Sequence, residues 1–171
     1  MILKILIISF VLIGNSLAAY AQNDFAYEKY LPRTLGEIEE LAVAMQNTKP
    51  EINNPKSGEL IFDADFLYSH VRVKFMNKSR PVSAERKEVM GLWQKTFAFD
   101  EKVIASFETE YLFRECNKDY WIPVQKPVAS YFPKELKEGD MVTLYLMRAT
   151  GKRPKGSTVW DWIYLVNEFD K

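Results

Sequence analysis

Two pairs of acidic residues have the spacing that acid–base chemistry or a metal ion could use. Asp63 and Asp65 are two residues apart on a predicted strand, and Glu108 and Glu110 repeat the arrangement. Residues i and i+2 of a strand lie on one face, so both carboxylates of a pair point the same way. Such a pair could bind Ca²⁺ or supply the two acids of a glycosidase. The solvent face of an amphipathic strand gives the same pattern, and this is the interpretation that we favour.

Histidine and cysteine are too scarce for most hydrolytic, redox or zinc sites. His70 is the only histidine and Cys116 the only cysteine of the 171 residues. A Ser-His-Asp site would have to be built on His70 alone, and two ligands are too few for structural zinc. We expect His70 on a surface or turn, and Cys116 as a small packed residue without a disulfide partner. No cofactor fingerprint is recognised, so the sequence predicts no cofactor and favours a protein without catalytic activity.

The C-terminal hairpin holds the aromatic and basic residues that could bind a ligand. Trp160, Trp162 and Tyr164 alternate along one strand and would share a face, and Tyr145 lies on the partner strand. An open aromatic face of this kind stacks on sugars or anchors a protein partner. The connecting loop adds positive charge from Arg148, Lys152, Arg153 and Lys155. The predicted ligand-binding residues are Trp160, Trp162, Tyr164, Tyr145, Arg148, Lys152 and Arg153.

Both features of the hairpin have a purely structural alternative. Both faces of its strands are largely apolar, so a helix could lie across the aromatic face and bury it, and large exposed apolar patches are uncommon. We therefore favour burial of that face. A basic loop can likewise serve only to keep a sheet edge soluble. The sequence Gly151-Lys152-Arg153 is not a phosphate-binding loop, because the earlier glycine and the following Ser or Thr are missing.

The first 21 residues have the composition of a secretory signal peptide. Lys4 supplies a positive charge, residues 5–13 are mainly apolar, and Ala19-Tyr20-Ala21 has the small-x-small form of a cleavage site. A membrane anchor needs about 20 apolar residues, and this run is shorter. We therefore predict cleavage before Gln22 and a secreted or periplasmic protein.

The remaining residues, 22–171, are long enough for one domain with its own hydrophobic core. Basic and acidic residues number 23 each over the whole chain, and removing Lys4 leaves 22 basic against 23 acidic residues. The charge therefore gives no reason to expect nucleic acid as a partner. The expected partner is an envelope protein or a glycan. The sequence predicts no membrane span in the mature chain and gives no indication of oligomeric state.

The order of the predicted elements indicates an α+β fold. Thr34 and Glu37 form a capping box that starts a helix over residues 35–46, and Ser83 caps a second helix. Strands are predicted over residues 59–66, 69–76, 102–114, 120–125, 141–147 and 159–166. Short connections favour antiparallel pairing. The prediction is an antiparallel sheet of about six strands that could curl into a small OB-like barrel, with two helices packed on it.

Three functions are compatible with these patterns. We favour a secreted or periplasmic non-catalytic binding module that uses the aromatic face and the basic loop. The alternatives are a small carboxylate-based hydrolase built on one acid pair, and an envelope structural or inhibitor protein that contacts another protein. Close, exposed carboxylates in a cleft would indicate the hydrolase, and a flat apolar patch without a groove would indicate the interaction protein.

Overall fold

The computed structural model describes residues 25–47, 60–61, 65–152, 155 and 160–171. The predicted signal peptide lies outside these residues, as do Asp63 and Arg153. Within the described part of the chain, no helix is both long enough and apolar enough to cross a membrane.

Strands and helices mostly follow one another in pairs along the chain, in the α+β arrangement that the sequence predicts. The strands are β1 (Leu31–Pro32), β2 (Leu60–Ile61), β3 (Ser69–Pro81), β4 (Thr109–Glu115), β5 (Lys118–Val124), β6 (Met141–Lys152) and β7 (Asp161–Asp170). The α-helices are α1 (Leu35–Asn47), α2 (Ala84–Phe97), α3 (Glu101–Ala105), α4 (Lys126–Ala129) and α5 (Phe132–Glu135), and a short 3₁₀ helix spans Tyr27–Lys29.

Five of the strands pair in a closed ring. The long strand β3 pairs with β6 through residues 69–74 and with β4 through residues 74–81. From β4 the pairing continues to β5, β7 and β6, which returns to β3. All these pairs are antiparallel except β5 with β7, where Val124 lies opposite Val166. The predicted, mostly antiparallel sheet is therefore confirmed, and its pairing is barrel-like.

Two predicted strands are wrong in part. Of the residues described between 59 and 66, only Leu60–Ile61 form a strand, and residues 65–68 belong to no strand. The strand predicted from residue 102 begins instead at Thr109, because residues 101–105 form α3. The side chain of Asp100 accepts a hydrogen bond from the Lys102 amide at 2.8 Å, which caps the start of that helix.

The start of α1 is held by two carboxylates. The predicted capping box is present: the Thr34 amide donates to Glu37 Oε2 at 2.6 Å, and the Glu37 amide donates to Thr34 Oγ1 at 3.0 Å. The hydrogen bond from the Thr34 amide lowers the pKa of Glu37. The Leu35 and Gly36 amides donate to the carboxylate of Glu115, at 2.9 and 3.2 Å. Since Glu115 ends β4, this contact fixes α1 on the sheet.

Replacing Glu115 with glutamine removes the negative charge at the N-terminus of α1 and one of the two acceptor oxygens. We expect the free energy of unfolding to fall by about 1–2 kcal/mol, the usual contribution of such a cap. Urea denaturation measures the change. Glu88→Gln, at an exposed position on α2, is the matched control and should change stability by less than about 0.5 kcal/mol. Equal losses in both variants would contradict this account of Glu115.

Two hydrophobic clusters cover opposite faces of the β6–β7 hairpin. The inner cluster gathers residues of all five ring strands and α1, among them Leu35, Ile38, Val73, Phe113, Ile122, Leu144, Leu146, Trp162, Tyr164 and Val166. The outer cluster lies under α2 and consists of Val82, Val89, Met90, Trp93, Phe107, Met147, Ala149, Ile163 and Leu165. Alternate hairpin residues thus enter different clusters, which confirms that both faces of the hairpin are covered.

The prediction that Cys116 is packed in the interior is wrong. Cys116 is exposed at the two-residue turn between β4 and β5. Its φ of 50° places the backbone in the left-handed region. Tight hairpin turns require a positive φ. Cys116 is therefore exposed because it occupies the turn between the two strands, although cysteine side chains are usually buried.

Candidate functional site

The aromatic face of β7 is part of the inner cluster. Trp162 is 5% exposed and Tyr164 is 3% exposed, and both pack in the cluster that contains Leu35 and Ile38 of α1. Burial raises the pKa of the Tyr164 hydroxyl well above its ordinary value. These two side chains therefore form core, which is the alternative that the sequence favours, and they offer no open platform.

Trp162 lies flat against the neighbouring strand. Gly151 is its partner in the β6–β7 register. A Cβ atom at Gly151 would come within 2.4 Å of carbon atoms of the Trp162 ring, closer than real Cβ contacts allow. On the other side, the half-buried Trp160 stacks on Trp162 with 5.5 Å between ring centroids. Glycine is thus required at position 151 for the indole to reach its site.

Arg148 is also a structural residue. Its side chain is buried, and Nη2 donates to the Asp65 carbonyl oxygen at 2.7 Å. Its guanidinium lies 5.2 Å from the centroid of the Trp162 ring. Since its side chain is buried in this way, Arg148 does not join Lys152 in lining a surface site.

Tyr145 lies apart from Trp162 and Tyr164. Its ring contacts Phe25 and Tyr27 edge-on, with centroids at 5.8 and 4.9 Å. His70, its register partner on β3, lies 5.8 Å away between ring centroids and is half-buried. Tyr145 therefore holds the N-terminal segment against the outside of β6, and the structure separates it from the other predicted aromatic residues.

Gly151→Ala should destabilise the protein, because its methyl group would overlap the Trp162 ring. We expect a loss of about 2 kcal/mol, typical of overpacking in a filled core, measured by urea denaturation. Gly91→Ala is the matched control, since a Cβ at this position of α2 meets no atom within 4 Å. It should stabilise the helix by about 0.5–1 kcal/mol. A tolerated Gly151→Ala would mean that Trp162 is free to leave its site.

A cleft of about 310 Å³ opens between α2 and the ends of β6 and β7. Its lining combines charged residues with a small apolar part: Glu85, Arg86, Lys152, Lys155 and Asp161, with Val89 and Ile163. Of the predicted ligand-binding residues that the structure describes, only Lys152 lines the cleft. Lys155 joins it there from the basic loop.

Arg86 forms the fixed wall of the cleft. Its Nη1 donates to the Glu110 carboxylate and, at 3.0 Å, to the Trp121 carbonyl oxygen, and its Nη2 donates to Asp161 Oδ1 at 2.8 Å. Burial lowers the pKa of Arg86, but the charges of Asp161 and Glu110 outweigh it and leave this pKa above its ordinary value. Arg86 is thus permanently charged and tied to three strands.

Glu110 and Glu108 do not form an acid pair. Glu110 is 1% exposed, and Arg80 Nε donates to its Oε1 at 2.5 Å, opposite the contact from Arg86. Glu108 precedes β4, is exposed and pairs with Lys126 at 3.3 Å. The prediction that both carboxylates share a solvent face is therefore wrong, because two arginines bury one of them.

Only one residue of the other predicted pair lies within the described part of the chain. Asp65 is exposed, and its Oδ1 accepts a hydrogen bond from the Leu67 amide at 2.9 Å, closing a turn before β3. Asp63 lies outside the described residues. Over the ranges that the structure covers, no three His, Cys, Asp or Glu side chains come together as metal ligands.

The remaining charges of the cleft differ in how they are paired. Lys152 Nζ forms an ion pair with Glu85, and this hydrogen bond and charge lower the pKa of Glu85. Lys155 is exposed and pairs with no carboxylate of the described chain. An incoming anion would therefore meet the ammonium group of Lys155, which has no carboxylate partner in the described chain. Beside it lies the ammonium group of Lys152, whose partner Glu85 is exposed.

Sequence reasoning missed Glu85, Arg86 and Asp161. The position of Asp161 could have indicated the site. It is a carboxylate on an otherwise apolar strand face, where a charged group needs a charged or polar partner. No feature of the sequence distinguishes Arg86 from the other charged residues on the polar side of α2.

The chain matches no protein-family model, and searches of curated proteins and of solved structures find no similar protein.

Proposed function

We propose that this protein is a secreted or periplasmic, non-catalytic binding module whose ligand is a small acidic sugar, held in the cleft beside α2. The observation that supports it most is the ammonium group of Lys155, which lines the cleft without a carboxylate partner in the described chain. The location rests on the predicted signal peptide.

The charges of the cleft favour an anionic ligand. Lys155 is available, and Lys152 pairs with Glu85, whose side chain is 69% exposed. Exposed ion pairs contribute little stability, about 0–1 kcal/mol, so a ligand carboxylate can replace Glu85 at small cost. Arg86 keeps its own carboxylate partners and supplies a rigid wall.

The size and floor of the cleft favour a sugar. Its volume of about 310 Å³ is at the lower end for ligand pockets, which suits one or two rings. Val89 and Ile163 offer an apolar surface for the C–H face of a pyranose. OB-type barrels bind oligosaccharides or oligonucleotides near two of their connecting loops. The cleft lies between two connections of the ring, β3 to β4 and β6 to β7, although this is an analogy of fold only.

The same charges favour binding over hydrolysis. A glycosidase needs a carboxylic acid whose pKa is raised and a second carboxylate within reach of the sugar. In this cleft Glu85 pairs with Lys152, Asp161 pairs with Arg86, and the pKa of Glu85 is lowered. Glu85 is therefore unsuited to donate a proton, and Asp161 is held by Arg86 as part of the cleft wall.

The test is a titration of the ¹⁵N-labelled protein with D-galacturonate, compared with neutral D-galactose. We expect galacturonate to shift amide signals of α2 and of the ends of β6 and β7, and galactose to bind more weakly. Lys155→Gln should weaken galacturonate binding by about five- to tenfold, or roughly 1–1.4 kcal/mol, because the ion pair is exposed to solvent and is weaker than a buried charged hydrogen bond. High salt should also weaken it.

Lys134→Gln, exposed on α5, is the matched control and should bind galacturonate like the unaltered protein. Shifts confined to another face of the molecule would contradict the proposal. Equal binding of galactose and galacturonate would contradict it as well.

A further inference from the structure

We infer that Arg80 forms a second anion-binding position next to the cleft, so that the ligand is an acidic oligosaccharide with charges on more than one ring. This inference rests on the proposed function, whose cleft would bind one of the charged rings. It depends on how Arg80 is held.

Arg80 is fixed by two contacts yet open to solvent. Its guanidinium carbon lies 4.1 Å from the centroid of the Trp121 ring, and its Nε donates to Glu110 Oε1 at 2.5 Å. The side chain is nevertheless 50% exposed. Its Nη1 and Nη2 groups donate to no atom of the described chain. Both terminal amino groups are therefore available to a ligand.

A guanidinium held in this way is a better anion site than an ordinary surface arginine. A free arginine loses rotamer freedom when it binds, whereas the Trp121 ring and Glu110 already restrict Arg80 to one orientation. Glu110 is buried behind it, so a ligand meets the cationic ends of Arg80 and not the carboxylate. Two parallel N–H donors suit a carboxylate, which can accept both.

Arg80 and the cleft are joined by a single carboxylate. Glu110 accepts hydrogen bonds from Arg80 on one side and from Arg86 on the other, and Arg86 lines the cleft. Arg80 therefore lies across Glu110 from the Arg86 wall of the cleft, and Lys155 lines the same cleft. A single uronic acid ring carries one carboxylate, so a uronate ligand that uses both positions must contain more than one acidic ring. The half-buried Trp121 lies beneath Arg80 and offers part of its ring to such a chain.

The experiment compares galacturonate with its α-1,4-linked trimer in calorimetric or NMR titrations. The quantity compared is the dissociation constant of the monomer divided by the dissociation constant of the trimer. We expect a ratio of about tenfold or more for the unaltered protein, because a second position binds within the same complex. Arg80→Lys keeps a charge beside Glu110 but lacks both terminal amino groups, and it should reduce the ratio to about twofold. Arg80→Gln should do the same if it folds, which circular dichroism checks.

Arg72→Gln is the matched control, because Arg72 is exposed on the other half of β3, beside β6. It should keep the ratio of the unaltered protein.

If the monomer binds in the cleft but the trimer binds no more tightly, or Arg80→Lys keeps the full ratio, the inference is wrong and the proposed function stands. If the trimer binds through Arg80 while the monomer does not bind in the cleft, the proposed function fails and the Arg80 site stands. If neither sugar binds, both are overturned.

Discussion

The arrangement around α2 depends on one buried carboxylate, that of Glu110. Arg80 of β3 and Arg86 of α2 both donate to it. Removing a carboxylate from water costs several kcal/mol, and the cost is offset only while good partners remain in place. Arg86 also reaches Trp121 on β5 and Asp161 on β7. The helix is therefore tied to β4, β5 and β7 by polar contacts, and these contacts form the fixed wall of the cleft.

Apolar packing explains why the cleft lies where it does. The β6–β7 hairpin is apolar on both faces, so its residues divide between the inner cluster and the outer cluster beneath α2. Trp93 and Met90 of α2 pack in the outer cluster with residues of the hairpin and so hold the helix against it. Trp162 fills the opposite side, over Gly151. Trp162 and Tyr164 of β7 thus form part of the core, and the charged residues at the end of the hairpin line the cleft.

Features set by neighbouring residues could be predicted from the sequence. The capping box of Thr34 and Glu37, the Ser83 cap of α2 and the two-faced hairpin depend on residues a few positions apart or on a strand period. The Glu110 site could not be predicted, because its partners lie 30 and 24 residues away and look like ordinary surface charges. The parallel contact of β5 with β7 was missed for the same reason. The prediction for Cys116 was wrong because it relied on the usual burial of cysteine, whereas Cys116 is exposed in the turn between β4 and β5.

Hydrogen exchange of the α2 backbone tests the role of Glu110 most directly. In Glu110→Gln, Arg80 loses its carboxylate partner and Arg86 keeps only Asp161. The buried amide also places its NH₂ group against one of the two guanidinium groups. The account predicts that amides of residues 84–97 exchange at least about tenfold faster, while those of β6 and β7 change less, since local opening is governed by local contacts. Glu108→Gln, two residues away and exposed, should leave α2 unchanged. Unaltered exchange in α2 of Glu110→Gln, or the same change in both variants, would contradict the account.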